Sequence, residues 1–205
     1  MGIIEQLTYI VNMLTINIEY GLYLVAVCSV IEVVNMLLNR RLCLLGIIPR
    51  NPISLITGPI CSHFIHAGFN HMFFNMFPLF VLSVFMMEKG LPHMLCVSLM
   101  MMYSQSLLLW LFGQRGIHVG ASGLVMSYLG YLIYSAYHSP NLSSILLALI
   151  GIYYFGAALF SIFPDQKRTS WDGHLFGLIS GVGVAHFGQC LYPFNVMTGW
   201  LLTHI

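Results

Sequence analysis

Charged side chains are scarce in this sequence. Of its 205 residues only 6% are Asp, Glu, Lys or Arg, while 59% are hydrophobic, and the mean hydropathy is +0.87. A water-soluble domain carries about 25% charged residues, so this chain has too few to cover a soluble globule. The net charge of +1 excludes the strongly basic surface that is typical of nucleic-acid-binding proteins. The composition therefore predicts an integral membrane protein that partners the lipid bilayer and no nucleic acid.

Cysteine provides no disulfide framework, because the chain has five cysteines, an odd number. Cys43 and Cys61 share one loop, and they are either paired or free. His63, His66 and His71 form a histidine-rich stretch nearby, but no cysteine or carboxylate completes a zinc-ligand set around them. We therefore expect no metal site.

Six apolar runs are long enough to cross a bilayer, which takes roughly 20 residues of helix. They cover residues 21–38, 71–87, 92–112, 120–137, 143–163 and 173–191. Lipid offers no partners for backbone N–H and C=O groups, so these runs are expected to be helices. The prediction is an all-α, polytopic membrane protein with a short interfacial segment (1–20), a six-helix domain (21–192) and a short tail (193–205). The Pro- and Gly-rich connection 39–70 is expected to lie in the interface or to pack on the bundle.

Four polar residues lie at the starts of the even-numbered spans. His71 and Asn75 open the second span, Ser122 opens the fourth and His174 opens the sixth. Polar groups within a membrane are costly and usually functional. Because successive spans alternate in direction, the starts of spans two, four and six lie at one side of the membrane. The four groups are therefore expected at a similar depth.

Small residues follow the serine and the histidine at helical spacing. The two stripes are Gly177 and Gly181 after His174, and Gly123, Ser127 and Gly130 after Ser122. Small residues allow membrane helices to approach closely. We therefore expect the fourth and sixth helices to touch, which brings His174 within reach of Ser122.

A serine beside a histidine is the minimum needed for nucleophilic catalysis. The imidazole accepts the hydroxyl proton and so activates an otherwise weak nucleophile. The N-terminus of the fourth helix adds backbone N–H groups that have no intrahelical partner and can bind an oxyanion beside Ser122. Asn75 and His71 could supply further donors. Packing alone is the simpler explanation for each residue taken singly, but it does not explain their shared depth.

Three motifs in this order resemble the rhomboid family of intramembrane serine proteases. They are HMFFN at 71–75, GASG at 120–123 and GHLFGLISG at 173–181, and the segment GIIPRNPISLITGPICSHFIHAGFNH at 46–71 is similar to the loop before the second helix in bacterial members. The resemblance covers roughly residues 40–190. It implies a six-helix rhomboid-like bundle, a protease that cleaves transmembrane protein substrates through an acyl-enzyme, and no cofactor or metal. A bacterial inner membrane is the implied location.

The resemblance also implies roles for individual residues. Ser122 would be the nucleophile and His174 the general base, without an acidic third member. Asn75, His71 and the Ser122 backbone N–H would hold the oxyanion. Gly120 is predicted with them as an oxyanion- or substrate-stabilising residue. Gly123, Gly130, Gly177 and Gly181 would pack the helices.

Two positions depart from the family pattern or invite another role. Met126 stands where many members have an aromatic side chain that packs on the catalytic histidine. Asp172 is close to His174 in sequence, but adjacent positions point apart on a helix, so we do not expect it to be a third catalytic member.

Two other function classes stay open from the sequence. One is a rhomboid-like protein that binds membrane clients without cutting them, and the other is a small transporter lined by histidines. The membrane orientation is also open. Six of the seven Lys and Arg residues lie in odd-numbered loops, which the positive-inside rule places in the cytoplasm, whereas the resemblance implies that this side faces outward.

Overall fold

The computed structural model describes residues 2–163 and 170–188, and within them it is helical with no β-strand. The α-helices are α1 (Ile3–Leu37), α2 (Ser54–Phe64), α3 (Phe69–Met86), α4 (Leu91–Phe112), α5 (Ser122–His138), α6 (Leu142–Phe155) and α7 (Trp171–Phe187). Four of the helical segments, which begin at residues 3, 69, 91 and 142, are long and apolar enough to span a membrane. These findings confirm the prediction of an all-α polytopic membrane protein.

Helix α1 is longer than the first predicted span. It runs without interruption for 35 residues, so the expected boundary between residues 20 and 21 is not a helix end. The chain stays helical through Gly21, whose missing side chain lets α1 approach Phe80 and Val84 of α3. At about 1.5 Å per residue the helix measures about 50 Å, which exceeds the hydrocarbon thickness of a bilayer. Most of residues 1–20 thus belong to the same rod as the first span.

The connection between α1 and α3 packs on the bundle. Its helix α2 lies against α4, and Ile47 exchanges backbone hydrogen bonds with His118 at 3.1 and 2.8 Å. The backbone N–H of Arg50 also donates to the carbonyl oxygen of Trp110 at 2.9 Å. Cys43 and Cys61, which could have paired, are both free thiols.

Helices α5 and α7 make the most extensive helix contact among the described residues, as the two stripes of small residues predict. The backbone carbonyl oxygens of one helix lie against the glycines of the other. A Cβ added to Gly177 would collide with the Gly123 carbonyl oxygen, and one added to Gly181 would collide with that of Ser127. Gly130 in turn lies against the Leu178 carbonyl, 2.7 Å from where its Cβ would be. The absence of side chains at these positions therefore sets the helix separation.

The end of the fifth predicted span departs from a regular α-helix. Helix α6 ends at Phe155, and the chain continues as a 3-10 helical segment, Gly156–Ile162. This segment packs on α7 as well as on α6. The predicted end of the sixth span near residue 191 and the tail 193–205 fall outside the described residues.

Two of the arginines that produce the loop charge asymmetry are engaged by protein groups. Arg40 forms an ion pair with Glu32 of α1, a carboxylate only 1% exposed. Arg50 donates from Nη2 to the carbonyl oxygen of Gly113 at 2.8 Å. A cation held by a protein partner is a weaker reporter of orientation than a free one, so these contacts reduce the force of the positive-inside argument.

Candidate active site

Ser122 is the first residue of α5, directly after a turn that only glycine accommodates easily. Gly120 has a φ of +128°, and a Cβ there would lie 2.8 Å from Nε2 of His71. The two N–H groups before the serine are already used: Gly120 donates to the Ser62 carbonyl oxygen at 2.7 Å and Ala121 to Nε2 of His66 at 3.3 Å. The Ser122 N–H lies in the first turn of the helix, where no intrahelical acceptor exists.

Gly120 was predicted with Asn75 and His71 as an oxyanion- or substrate-stabilising residue, and these bonds limit how it could act. Because its N–H is bound to Ser62, Gly120 does not offer a free donor to an oxyanion. Gly120 contributes to the shape of the site, because the absence of a side chain allows the ring of His71 to lie close to the turn before Ser122.

His174 lies in the first turn of α7, where the Ser170 hydroxyl caps the helix by accepting the Gly173 N–H at 3.3 Å. The imidazole is half-buried, and its Nδ1 lies 2.7 Å from Oγ of Ser161 in the 3-10 segment. The bond to Ser161 involves only one ring nitrogen and leaves Nε2 for another partner.

Asn75 and His71 are stacked one turn apart on α3. The Asn75 amide, 8% exposed, donates one hydrogen to the His71 carbonyl oxygen at 2.7 Å. A primary amide has two hydrogens, so the second is available to a ligand. The His71 ring meets that of His66 edge to face, with 5.4 Å between the centroids.

One cavity of about 220 Å³ joins these elements. Asn75, Ser122, Met126, Ser161 and His174 all line it, together with apolar side chains of α3 and α6. The structure thus brings the predicted serine, histidine and asparagine to a common space at the same end of the bundle. A hydroxyl, an imidazole and a side-chain amide around one apolar cavity are groups that acyl transfer can use.

The sequence profile of the Rhomboid domain matches residues 49–188, well over half of the chain. The chain belongs to the rhomboid family. Uncharacterized proteins of Mycobacterium bovis and Mycobacterium tuberculosis are each 29% identical to this rhomboid protein over 171 residues, which cover 79% of its chain and 71% of theirs. An uncharacterized protein of Mycobacterium leprae is 30% identical over 131 residues, which cover 60% of this chain and 52% of the relative. The resemblance carried by the three motifs is confirmed.

The Asp172 carboxylate of this rhomboid protein accepts hydrogen bonds from a backbone N–H and from a serine hydroxyl. Its Oδ2 accepts the Gln114 N–H at 2.7 Å, and its Oδ1 accepts the Ser170 hydroxyl at 2.8 Å. The carboxylate is thereby directed to the connection before α5 and to its own helix cap. Met126 is 1% exposed and lies against Gly177, so it fills the space between α5 and α7 beside the cavity that His174 lines.

A polar bridge behind the serine was not anticipated from the sequence. His63 Nε2 lies 2.8 Å from Oε1 of Gln105, and Nε2 of Gln105 donates to the Gly173 carbonyl oxygen at 3.1 Å. Burial lowers the pKa of His63, so the ring is neutral here. The bridge joins α2, α4 and the start of α7, one residue before His174. The signal that could have revealed it is Gln105 itself, an amide within a membrane-spanning run.

Proposed function

We propose that this rhomboid protein is an intramembrane serine endopeptidase that cleaves transmembrane segments of other membrane proteins. The observation that carries the proposal is the shared cavity lined by Ser122, His174 and Asn75, at the ends of three different helices. A packing serine has no need of a histidine and an asparagine from two other helices in the same space. The family membership supports the reaction class, and the bacterial relatives support a cell-membrane location.

The proposed reaction proceeds in two acyl-transfer steps. In the first, the Ser122 Oγ attacks the carbonyl carbon of the scissile peptide bond while His174 accepts the hydroxyl proton. The C–N bond then breaks, and His174 returns the proton to the departing amine. In the second step a water molecule attacks the carbonyl carbon of the acyl-enzyme while His174 accepts its proton. The ester C–O bond then breaks, His174 returns the proton to Oγ of Ser122, and the new carboxyl terminus leaves.

Negative charge develops on the substrate carbonyl oxygen in both steps. The Ser122 N–H and the free hydrogen of the Asn75 amide are the proposed donors, and the His71 ring lies close to the same turn. Such donors are effective in an apolar cavity, where removal of one typically costs a hundred- to a thousandfold in rate.

The test is cleavage of a model transmembrane substrate by the purified protein in detergent. Ser122→Ala and His174→Ala are expected to abolish cleavage and labelling by a fluorophosphonate, while their melting temperatures stay close to that of the wild type. Ser104→Ala is the matched control, because Ser104 lies on α4 and its hydroxyl bonds only the Met101 carbonyl oxygen of its own helix in the described contacts. This control is expected to cleave like the wild type.

Two results would contradict the proposal. Cleavage by Ser122→Ala at the wild-type rate would make Ser122 a packing residue. A folded wild type that neither cleaves the substrate nor reacts with the fluorophosphonate would favour the alternative, a rhomboid protein that binds membrane clients without cutting them.

A further inference from the structure

The Ser161 hydroxyl forms two short contacts of different kinds. Its Oγ lies 2.7 Å from Nδ1 of His174 and 2.5 Å from the carbonyl oxygen of Ala158. A hydroxyl carries a single hydrogen, and a carbonyl oxygen can only accept. The hydroxyl hydrogen is therefore committed to Ala158, and Oγ must accept a hydrogen from the imidazole. This arrangement of hydrogen bonds requires the His174 tautomer that carries its proton on Nδ1.

That tautomer is the one a general base needs. With the proton on Nδ1, the lone pair of the ring is on Nε2, the nitrogen left for Ser122. When Nε2 takes the serine proton, the ring becomes a cation, and its Nδ1–H bond to Ser161 becomes charge-assisted and stronger. The same contact thus orients the ring before the reaction and stabilises it during proton transfer.

No carboxylate performs this task in the described part of the chain. The nearest candidate, Asp172, is engaged by the Gln114 N–H and the Ser170 hydroxyl. The other ionisable groups around His174 are His71 of α3 and Tyr154 of α6, which lines the same cavity. Helix α5 contributes Ser122 there. Ser161 is consequently the residue that faces the imidazole, through the contact of its hydroxyl with Nδ1 and through a hydrogen bond from the ring to its backbone carbonyl oxygen.

We propose that Ser161 is a positioning residue that fixes the tautomer of the general base, so that the site works as a Ser122–His174–Ser161 relay. The proposal rests on the proteolytic function proposed above and adds a third member that none of the three motifs contains. Ser161 belongs to the 3-10 segment Gly156–Ile162, so the last turn of the α6 region contributes to the catalytic geometry of α5 and α7.

The first test compares Ser161→Ala with Ser161→Thr, which keeps the hydroxyl. Loss of a hydrogen bond to a charged group is expected to lower kcat and the fluorophosphonate labelling rate about tenfold to a hundredfold in Ser161→Ala, and Ser161→Thr is expected to recover most of both. The acidic limb of the pH–rate profile is expected to move to lower pH in Ser161→Ala, because the imidazolium loses its acceptor. Ser104→Ala, which removes a hydroxyl with the same own-helix i−3 bond and no histidine partner, is the control.

The second test reads the tautomer directly and does not depend on cleavage. Nitrogen-15 NMR of histidine-labelled protein, with His174→Ala used to assign the signal, is expected to show Nδ1 protonated in the wild type and a tautomer mixture in Ser161→Ala. If the wild type shows this tautomer but never cleaves or labels, the proteolytic function fails while the relay contact stands. Wild-type rates and an unshifted acidic limb in Ser161→Ala, or an unchanged tautomer, would overturn the relay. Should Ser161→Ala not fold, Ser161→Cys, which keeps the volume with a weaker acceptor, must show the same changes in smaller measure.

Discussion

Gly177 packs its bare Cα against the backbone carbonyl of Gly123, and this contact joins the helix that carries His174 to the helix that carries Ser122. A methyl group at Gly177 would collide with that carbonyl oxygen and would lie 3.1 Å from Cβ of Met126. Backbone atoms cannot turn aside as a flexible side chain can. The separation of the two proposed catalytic residues is therefore set by glycines that are not themselves chemical participants.

Gly177→Ala and Gly181→Ala are expected to destabilise the protein by about 1–3 kcal/mol each and to reduce cleavage strongly. The added methyl groups meet the backbone of α5, so the helices must separate. The control is Gly183→Ala on the same helix, where a Cβ would meet no atom within 4 Å and helix propensity favours alanine. Thermal melting in detergent and cleavage rates measure both effects. Equal melting temperatures for Gly177→Ala and Gly183→Ala would contradict the prediction.

Asn75→Ala is expected to lower the cleavage rate about a hundred- to a thousandfold with little change in melting temperature, because an oxyanion donor is lost. Asn17→Ala is a close structural match, since its amide donates to the Met13 carbonyl oxygen at 2.9 Å, four residues back, as that of Asn75 does to His71. Asn17 lies on α1, outside the cavity of the site. If both variants lose activity equally, Asn75 acts through the stability of its helix alone.

The pH dependence of stability is expected to reflect His66, which is fully buried in the connection before α3. Burial, with a smaller contribution from the charge of His71, lowers the pKa of His66 from 6.5 to about 4. Between these values the unfolded chain binds a proton that the folded protein excludes. The free energy of unfolding is therefore expected to fall as the pH drops from 6.5 to 4, by about 3 kcal/mol at most from this residue.

His66→Gln keeps an acceptor for the Ala121 N–H but does not titrate, so its melting temperature is expected to fall less steeply over this range. The buried His63 retains a contribution of the same sign. Ser104→Ala, which leaves every histidine in place, serves as the control and is expected to follow the wild-type profile. Parallel profiles for His66→Gln and the wild type would refute this origin of the acid sensitivity.

Arg40→Ala is expected to lower the free energy of unfolding by about 1–3 kcal/mol, because it leaves the Glu32 carboxylate buried without its cation. The neighbouring Arg41→Ala is the control, since Arg41 is exposed. The double variant Arg40→Ala with Glu32→Gln is expected to recover part of the loss, as the buried charge is gone. Urea or SDS titrations measure all three, and the absence of any recovery would assign the Arg40 effect to its backbone, which has a φ of +64°.

Much of the helical layout follows from local sequence. The predicted spans 92–112 and 120–137 agree closely with Leu91–Phe112 and Ser122–His138. An apolar run in lipid must satisfy its backbone internally, so hydropathy and turn residues suffice to locate such helices. The same reasoning missed the continuation of α1 back to Ile3, because a helix need not end where its hydropathy weakens.

For the candidate site, the location of the residues could be predicted from the sequence, but their hydrogen-bond partners could not. The alternating direction of successive spans predicted that His71, Asn75, Ser122 and His174 lie at one side of the membrane. The small-residue stripes predicted the contact of α5 with α7. The partners of these residues were not predictable, since their bonds join distant positions. Ser161 of the 3-10 segment contacts His174 of α7, His63 contacts Gln105 on another helix, and the Gly120 N–H donates to the carbonyl oxygen of Ser62.

The sequence by itself thus determined that this chain is a membrane-embedded helical protein with the rhomboid motifs at the starts of alternate helices. Hydrophobicity and helix spacing are properties of consecutive residues, and they need no knowledge of neighbours in space. Only the tertiary structure decided which hydroxyl holds the His174 ring, which N–H groups are already occupied and which arginines are paired. Those outcomes depend on hydrogen-bond distances of about 3 Å between helices, and such distances are set by packing in three dimensions.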